Sequence, residues 1–417
     1  MLIAILAMGS RGDVQPYVAL GAGLVRAGHR VRILTHENFQ GMVQSGGMEL
    51  RPLRGDVEQL LKEGRFQDSL EKGDMIKILR VMQEETTRRG RDGIIDALPA
   101  CEGAEMLIGG MSALGGGLAL SEKFKIPFVQ AYPFPFTPTG AFPSVMVNTT
   151  RRLPGPINWM THVFAQQMFW QTLRGGDQVV RKEVLGLPQL PLLGPFSRMA
   201  KQRMPVLYGY SEQVIPRPAD WPDYIDVTGF WFLDPPADWV PPAALVDFLR
   251  AGPPPVYIGF GSMSSRDPEQ TAALVLAALR RTGQRGVIQS GWGGLKTADL
   301  PDNVFLAGNL LHSWLFPQMA AVVHHGGVGT TAAGLRAGVP SVLIPFFGDQ
   351  PFWGNRVAAL GVGPAPILRA QLTEERLAAA ITQAVSDEAM RRRAQALGKR
   401  ICAEDGVARA VAFIERL

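Results

Sequence analysis

The residues best suited to chemistry crowd into one stretch, AVVHHGGVGTTAAGLRAGVPSVLIPFFGDQPFWGNRVAALG, at positions 321 to 361. Its turn, His324-His325-Gly326-Gly327-Val328-Gly329, follows a short apolar run and leads into a helical pattern from Thr330. Glycines at 326, 327 and 329 let the backbone come close to a ligand and leave N–H groups pointing outward at a helix start, an arrangement suited to a diphosphate. Thr330 and Thr331 can add hydroxyls. Neither the P-loop pattern GxxxxGK[ST] nor the dinucleotide pattern GxGxxG is present in this segment, so the expected anion is not held in a kinase-type loop. A second apolar run from Ser341 to Pro345 is followed by Gly348, Asp349 and Gln350, a carboxylate and an amide delivered to the same sheet edge as the glycine turn. They either meet a ligand there or cap the helix opening near Pro351.

A second candidate loop is Gly9-Ser10-Arg11-Gly12-Asp13, between a strand from Leu2 to Ala7 and a helix that Pro16 opens and Gly28 closes. Asp13 is either a general base facing a cleft or a local helix cap together with Ser10. A comparable loop, Gly261-Ser262-Met263-Ser264-Ser265, follows the strand Val256 to Phe260.

To bring these groups together, the chain needs parallel strands whose carboxyl ends share one edge. Strand, glycine loop, helix and strand recur from Leu2 and again from Val256, predicting an α/β protein of two Rossmann-like domains facing across a cleft. Domains are expected at 1–215 and 216–395, joined by the proline- and tryptophan-rich segment 210–255, with Ile225 to Phe230 as the entry strand of the second. Residues 56–98 read as amphipathic helices. Ala131 to Pro138 is expected as a rigid aromatic rim loop carrying Phe134 and Phe136, because its prolines rule out a central strand. The helical stretch 156–185, with Trp159, Met160, Phe164, Phe169 and Trp170, is either a core face or an apolar acceptor wall.

These segments together resemble the GT-B nucleotide-sugar glycosyltransferases, in particular the sterol glucosyltransferase branch, with antibiotic aglycone glycosyltransferases as further relatives. The resemblance runs through MGSRGDVQPYVALGAGLVRAGHRVRILTHENF, PFPFTPTGAFPS, PPVYIGFGSM, SGWGGL and the segment from His324 to Pro366. It implies Asp13 as catalytic base, with Ser10, Arg11, Gly12, Phe134, Phe136 and Trp170 on the acceptor or cleft side. It implies His325, Gly327, Gly329, Thr330, Gly261 and Ser262 at the diphosphate, and Asp349 and Gln350 on the donor sugar. Trp292, Asn309 and Leu310 then lie by the nucleoside, and residues 396–417 form a helix crossing back onto the first domain. The activity implied is inverting transfer of glucose from UDP-glucose, as co-substrate and without a cofactor, to an apolar acceptor such as a sterol or triterpenoid. Alternatives are a dTDP- or UDP-sugar transferase acting on a polyketide, glycopeptide or other natural-product aglycone, and a non-catalytic nucleotide-binding protein.

Composition narrows the remaining classes. The 417 residues are 46% hydrophobic and 19% charged, enough for two sizeable cores. Cys101 and Cys402 supply neither a disulfide framework nor a four-ligand zinc site, and no DxD-type metal motif lies beside either glycine loop, which predicts metal independence and a reducing cytoplasm. A net charge of +5 with basic residues dispersed among acidic ones argues against nucleic acid. The apolar start reads as a buried strand, and Met106 to Leu120 is too short and glycine-rich to span a bilayer. The sequence starts at the first strand, without the lipid-binding modules of fungal relatives, so contact with a membrane surface is expected to be transient at most.

Overall fold

A computed structural model describes residues 1–54, 75–236, 239–260, 268–289, 300–308 and 310–417. Short apolar runs make the strands. In the first sheet these are β1 (Leu2–Leu6), β2 (Arg30–His36), β3 (Glu49–Leu53), β4 (Met106–Gly109), β5 (Phe128–Tyr132), β6 (Val206–Tyr208) and β7 (Ile225–Val227). They pair in the order β3-β2-β1-β4-β5-β6-β7, every pair parallel. The second sheet contains β8 (Val256–Gly259), β9 (Gly286–Gln289), β10 (Val304–Ala307), β11 (Ala321–His324) and β12 (Ser341–Leu343), in the order β10-β9-β8-β11-β12 and again parallel. Parallel sheets are covered on both faces, which is why LIAIL, MLIG, VYIG and AVVH are continuous apolar runs and not alternating ones.

Helices α1 (Arg11–Arg26), α2 (Gln40–Ser45), α3 (Met75–Cys101), α4 (Leu114–Phe124), α5 (Gly155–Val179) and α6 (Phe196–Lys201) accompany the first sheet, α5 continuing into a π-helical turn at Val180–Leu185. The second is accompanied by α7 (Ala243–Arg250), α8 (Pro268–Thr282), α9 (His312–Leu315), α10 (Val328–Ala337), α11 (Gln350–Ala359), α12 (Glu374–Ser386) and α13 (Glu388–Cys402), and α14 (Gly406–Ile414) ends the chain. In both sheets the chain reverses direction beside its first strand, β1 against β4 and β8 against β11. Such switch points open a crevice at the carboxyl ends of the strands.

Two sequence expectations are corrected. The strand expected to enter the second domain belongs to the first sheet: Ile225–Val227 pairs with β6, and the amides of Thr228 and Gly229 donate to the carbonyls of Tyr208 and Tyr210. The chain leaves the first domain only after Trp231, whose ring packs edge-on to Tyr17. Ala131 and Tyr132, expected in the rim loop, complete the central strand β5, paired with Leu207 and Tyr208. The first residue lacking an N–H is Pro133, so the strand can run up to it. Of the helical region expected at 56–98, residues 55–74 lie outside the described residues and the rest falls within α3.

The C-terminal helix α14 packs on the first domain. Val407, Val411 and Ile414 share a core with Ile3, Leu20 and Leu24. Gly23 permits the approach, because a Cβ there would collide with Val407. Glu415 reaches His29 at 3.2 Å, and Ser211 donates to Glu404 at 2.8 Å. Another cluster joins the domains directly, with Tyr132 and Tyr208 of the first beside Trp353 and Val357 of the second. Among the described residues no helix is long and apolar enough to cross a membrane.

Candidate active site

Asp13 sits in the first turn of α1, where Ser10 is the N-cap. Its Oδ2 accepts both the Ser10 amide and the Ser10 hydroxyl at 2.8 Å. The helix-cap reading of Asp13 is met by these bonds, and the carboxylate keeps lone pairs for a further partner. Gly9, with φ +133°, is required by this geometry: a Cβ on it would lie 2.5 Å from Asp13 Oδ2. Cleft water reaches Asp13, yet crowding by the surrounding protein raises its pKa, an effect that the two Ser10 bonds partly offset. The neighbouring Tyr17 donates its hydroxyl to the Ala131 carbonyl at 2.6 Å, and burial, then the charge on Asp13, push its pKa up.

From the second sheet, β11 ends in His324, in register with Gly259 of β8. His324 is fully buried, and its Nδ1 accepts the Gly326 amide at 3.1 Å, so in the neutral ring Nε2 carries the proton, without a partner. It is the internal support of the turn. His325 is the outer of the two, half-buried, with its ring roughly perpendicular to that of His324. Burial lowers its pKa to about 4, so at neutral pH it acts as an uncharged hydrogen-bonding ring. Gly327 lets the imidazole fold over the start of α10, since a Cβ there would lie 2.5 Å from His325 Nε2. Thr331, expected to offer its hydroxyl to a ligand, donates it to the Gly327 carbonyl at 2.9 Å instead. Thr330 is half-buried one residue earlier.

The two glycine loops meet. A Cβ built on Gly329, in the first turn of α10, would come within 4.0 Å of the Cα of Gly12, in the first turn of α1. The first turns of α1 and α10 thus come into contact between the two domains, and each helix start carries the positive end of a helix dipole.

Asp349 caps α11, and its Oδ2 accepts the Trp353 indole N–H at 2.8 Å. Burial raises its pKa to about 6, and the negative charge of Asp13, on the other domain, adds to the shift. Gln350 is buried, with Oε1 accepting the amides of Phe346 and Phe347 at 2.8 and 3.3 Å. Only its NH₂ remains to meet a ligand.

The structure adds His312, which sequence reasoning passed over. It follows β10, stacks on Phe316 at 4.3 Å between centroids, and lies 3.4 Å from the Tyr257 hydroxyl, which donates to Gln289 at 2.8 Å. Burial lowers its pKa to about 4, assisted by the charges of Arg11 and His325. Arg11 of the first domain, itself hydrogen-bonded to Gln15, thereby belongs to the same electrostatic cluster. The available signal was a histidine just beyond a strand end, in LLHSWLF.

The remaining expected residues divide. Leu310 is half-buried against the core that contains Tyr257 and Leu315. Gly261, Ser262, Trp292 and Asn309 lie outside the described residues. Phe134 and Phe136 pack in the aromatic cluster under the rim, where Phe136 meets Phe169 edge-on at 5.7 Å. Trp170 is wholly enclosed, with its indole N–H on the Leu192 carbonyl at 3.1 Å, and supports the acceptor side from beneath without lining a cleft. Among the described residues no three His, Cys, Asp or Glu side chains converge as metal ligands.

Comparison with known proteins agrees with this geometry. The glycosyltransferase family 28 N-terminal domain matches residues 3–143, and the C-terminal domain of erythromycin biosynthesis protein CIII-like matches residues 275–415. Sterol 3-beta-glucosyltransferase UGT80A2 of Arabidopsis thaliana is 38% identical over all of this chain and 66% of its own length. UGT80B1 of the same plant is 37% identical over 99% of this chain and 68% of its own. A sterol 3-beta-glucosyltransferase of Neosartorya fischeri is 37% identical, with 29% of its length covered. The chain thus spans about two thirds of these plant relatives and under a third of the fungal one. Among solved structures, the glycotransferase of kitacinnamycin superposes over the whole chain and 98% of its own with a TM-score of 0.71 at 22% identity. CalG4, the calicheamicin glycosyltransferase, does so over the whole chain and 97% of its own at 0.68 and 20%. At these identities the likeness is one of fold. Two parallel α/β units meeting at their glycine loops, with sequence similarity along the whole length, establish that this chain belongs to the GT-B nucleotide-sugar glycosyltransferases and is closely related to the sterol 3-beta-glucosyltransferases.

Proposed function

We propose that the protein transfers glucose from UDP-glucose to a hydroxyl of a hydrophobic acceptor, a sterol or triterpenoid, with inversion at the anomeric carbon. The carrying observation is the contact of Gly12 with Gly329, next to Asp13, which supports reading Asp13 as a base close to the diphosphate-binding turn. Asp13 takes the proton of the acceptor hydroxyl as its oxygen attacks the anomeric carbon; the bond from that carbon to the β-phosphate oxygen breaks, and UDP leaves with the electron pair. A raised pKa makes Asp13 a stronger base, and a late proton transfer suits it. The leaving diphosphate is stabilised by the N-termini of α1 and α10 and by His325, with Gly327, Gly329 and Thr330 around it. Gly261 and Ser262 belong to the same phosphate site in this reading, and Trp292, Asn309 and Leu310 to the nucleoside site. Asp349 and the Gln350 amide hold sugar hydroxyls. A cytoplasmic location with transient contact at a membrane surface is part of the proposal.

A second reading, transfer from a dTDP- or UDP-sugar to a natural-product aglycone, is favoured by the match of residues 275–415 to a domain of the erythromycin pathway. Release of UDP and dTDP from purified protein, measured over a matrix of donors and acceptors with EDTA present, separates the two. Turnover with UDP-glucose and a sterol supports the first, and turnover only with dTDP sugars supports the second. Tight UDP binding with no turnover anywhere reduces the protein to a nucleotide binder.

A further inference from the structure

Seven of the eleven large hydrophobic side chains exposed among the described residues lie between positions 146 and 193. Ile157, Trp159, Met160 and Phe164 stand out from α5, with Met160 63% and Phe164 64% exposed. Helical spacing continues the line from Met160 and Phe164 to Gln167 and Gln171. Those two amides donate to the carbonyls of Leu193 and Leu192 at 2.9 and 3.0 Å, which fixes two more leucines, 69% and 60% exposed, at the end of the same stripe. The inner face of α5 is used differently: Asn158 donates to the Gly140 carbonyl at 3.0 Å, and His162 lies 3.0 Å from that of Phe142. The apolar stripe is therefore not a wall of the acceptor cleft.

The chain that carries this patch is basic. Residues 123–176 and 184–211 contain eight Lys and Arg and no Asp or Glu, a larger charge than the +5 net of the whole chain, although Arg198 and Arg203 pair with Glu122 and Asp223 from outside these segments. Arg151, Arg152 and Lys201 are exposed and have no acidic partner among the described residues. Exposed Trp, Phe, Met and Leu flanked in sequence by unpaired basic residues match an anionic lipid surface, where apolar groups enter the headgroup boundary and cations meet phosphate. A second copy of the chain would bring the same positive charges against each other.

The loop beside the patch reaches the second domain. The loop held by the inner face of α5 carries exposed Met146 and then Asn148, whose side chain accepts from Asn355 at 3.1 Å. Asn355 belongs to α11, the helix capped by Asp349.

We propose that the outer face of α5 and the Leu192–Leu193 loop form a docking surface for anionic phospholipid bilayers, which brings the acceptor side of the cleft to the membrane. The role in acceptor delivery rests on the glycosyl-transfer reading; the docking itself does not. The test is co-sedimentation of the full chain with vesicles of phosphatidylglycerol and phosphatidylcholine, against phosphatidylcholine alone, for the wild type, Met160→Glu/Phe164→Glu and Arg151→Glu/Arg152→Glu. The wild type is expected to partition onto the anionic vesicles and to be released by salt, and each double variant to bind about tenfold or more weakly. UDP release with a cyclodextrin-delivered sterol should be unchanged in both variants, which checks their fold. Wild-type protein that ignores anionic vesicles, or variants that bind like the wild type, would overturn the docking surface. So would a wild-type dimer in sedimentation that Phe164→Glu converts to monomer. If vesicle binding behaves as expected while no donor or acceptor is turned over, the functional reading fails and the surface stands.

Discussion

Asp13 in the first domain raises the pKa of Asp349 in the second, so the expected base and the expected sugar ligand share one electrostatic environment across the cleft. Ionisation of one depends on the other.

The acidic limb of kcat/KM is accordingly expected near pH 6, the value to which Asp349 is raised. Below it Asp349 protonates and loses its capacity to accept from the sugar hydroxyls. In Asp349→Asn the group that sets the limb is gone, and the limb should move to lower pH. A limb unmoved in the variant would mean that another group sets it.

Asp13→Asn removes the base while leaving an oxygen for the Ser10 bonds. Turnover should fall by about 10² to 10⁴, with UDP affinity by calorimetry little changed. Gly9→Ala should reproduce much of the loss, because its Cβ would press on Asp13 Oδ2. Near-normal rates in Gly9→Ala would show that the carboxylate need not occupy this position.

UDP binding should take up protons between about pH 5 and 6. Free His325, held near 4 by burial, is neutral there, and a diphosphate beside it favours the imidazolium. Calorimetry in buffers of different ionisation enthalpy measures the uptake, which should vanish in His325→Asn. For the unliganded fold the sign is opposite: an unfolded His ionises near 6.5 and the folded ring near 4, so His325 and His312 each withdraw stability as pH falls through that interval.

Gly23→Val places a branched side chain where Val407 packs and should loosen α14 from α1. A loss of about 1–3 kcal/mol is expected by denaturant titration. Equal stability would mean that α14 contributes little to the first domain.

Much of the site was legible because the relevant signals are local. Glycines that free a backbone for a ligand, a carboxylate at a helix start and an Asp-Gln pair before Pro351 declare themselves within a few residues. His312 did not, because its environment comes from Tyr257, Phe316 and Arg11, which lie far away in sequence. Trp170 looked like an acceptor contact for the same reason: an aromatic on a helix does not state which side the domain covers. The strand at Ile225 was assigned across the boundary because three residues carry no information about which sheet they join.

By itself the sequence determined two parallel α/β units, the two glycine loops and the chemistry each can supply, since strand periodicity, turn residues and helix starts depend on neighbours along the chain. Tertiary structure alone decided that Gly12 meets Gly329, that Asp13 and Asp349 sense each other, and that Met160 and Phe164 face outward. Those relations join residues more than a hundred positions apart or depend on what covers a helix face, and only packing across the whole fold sets them.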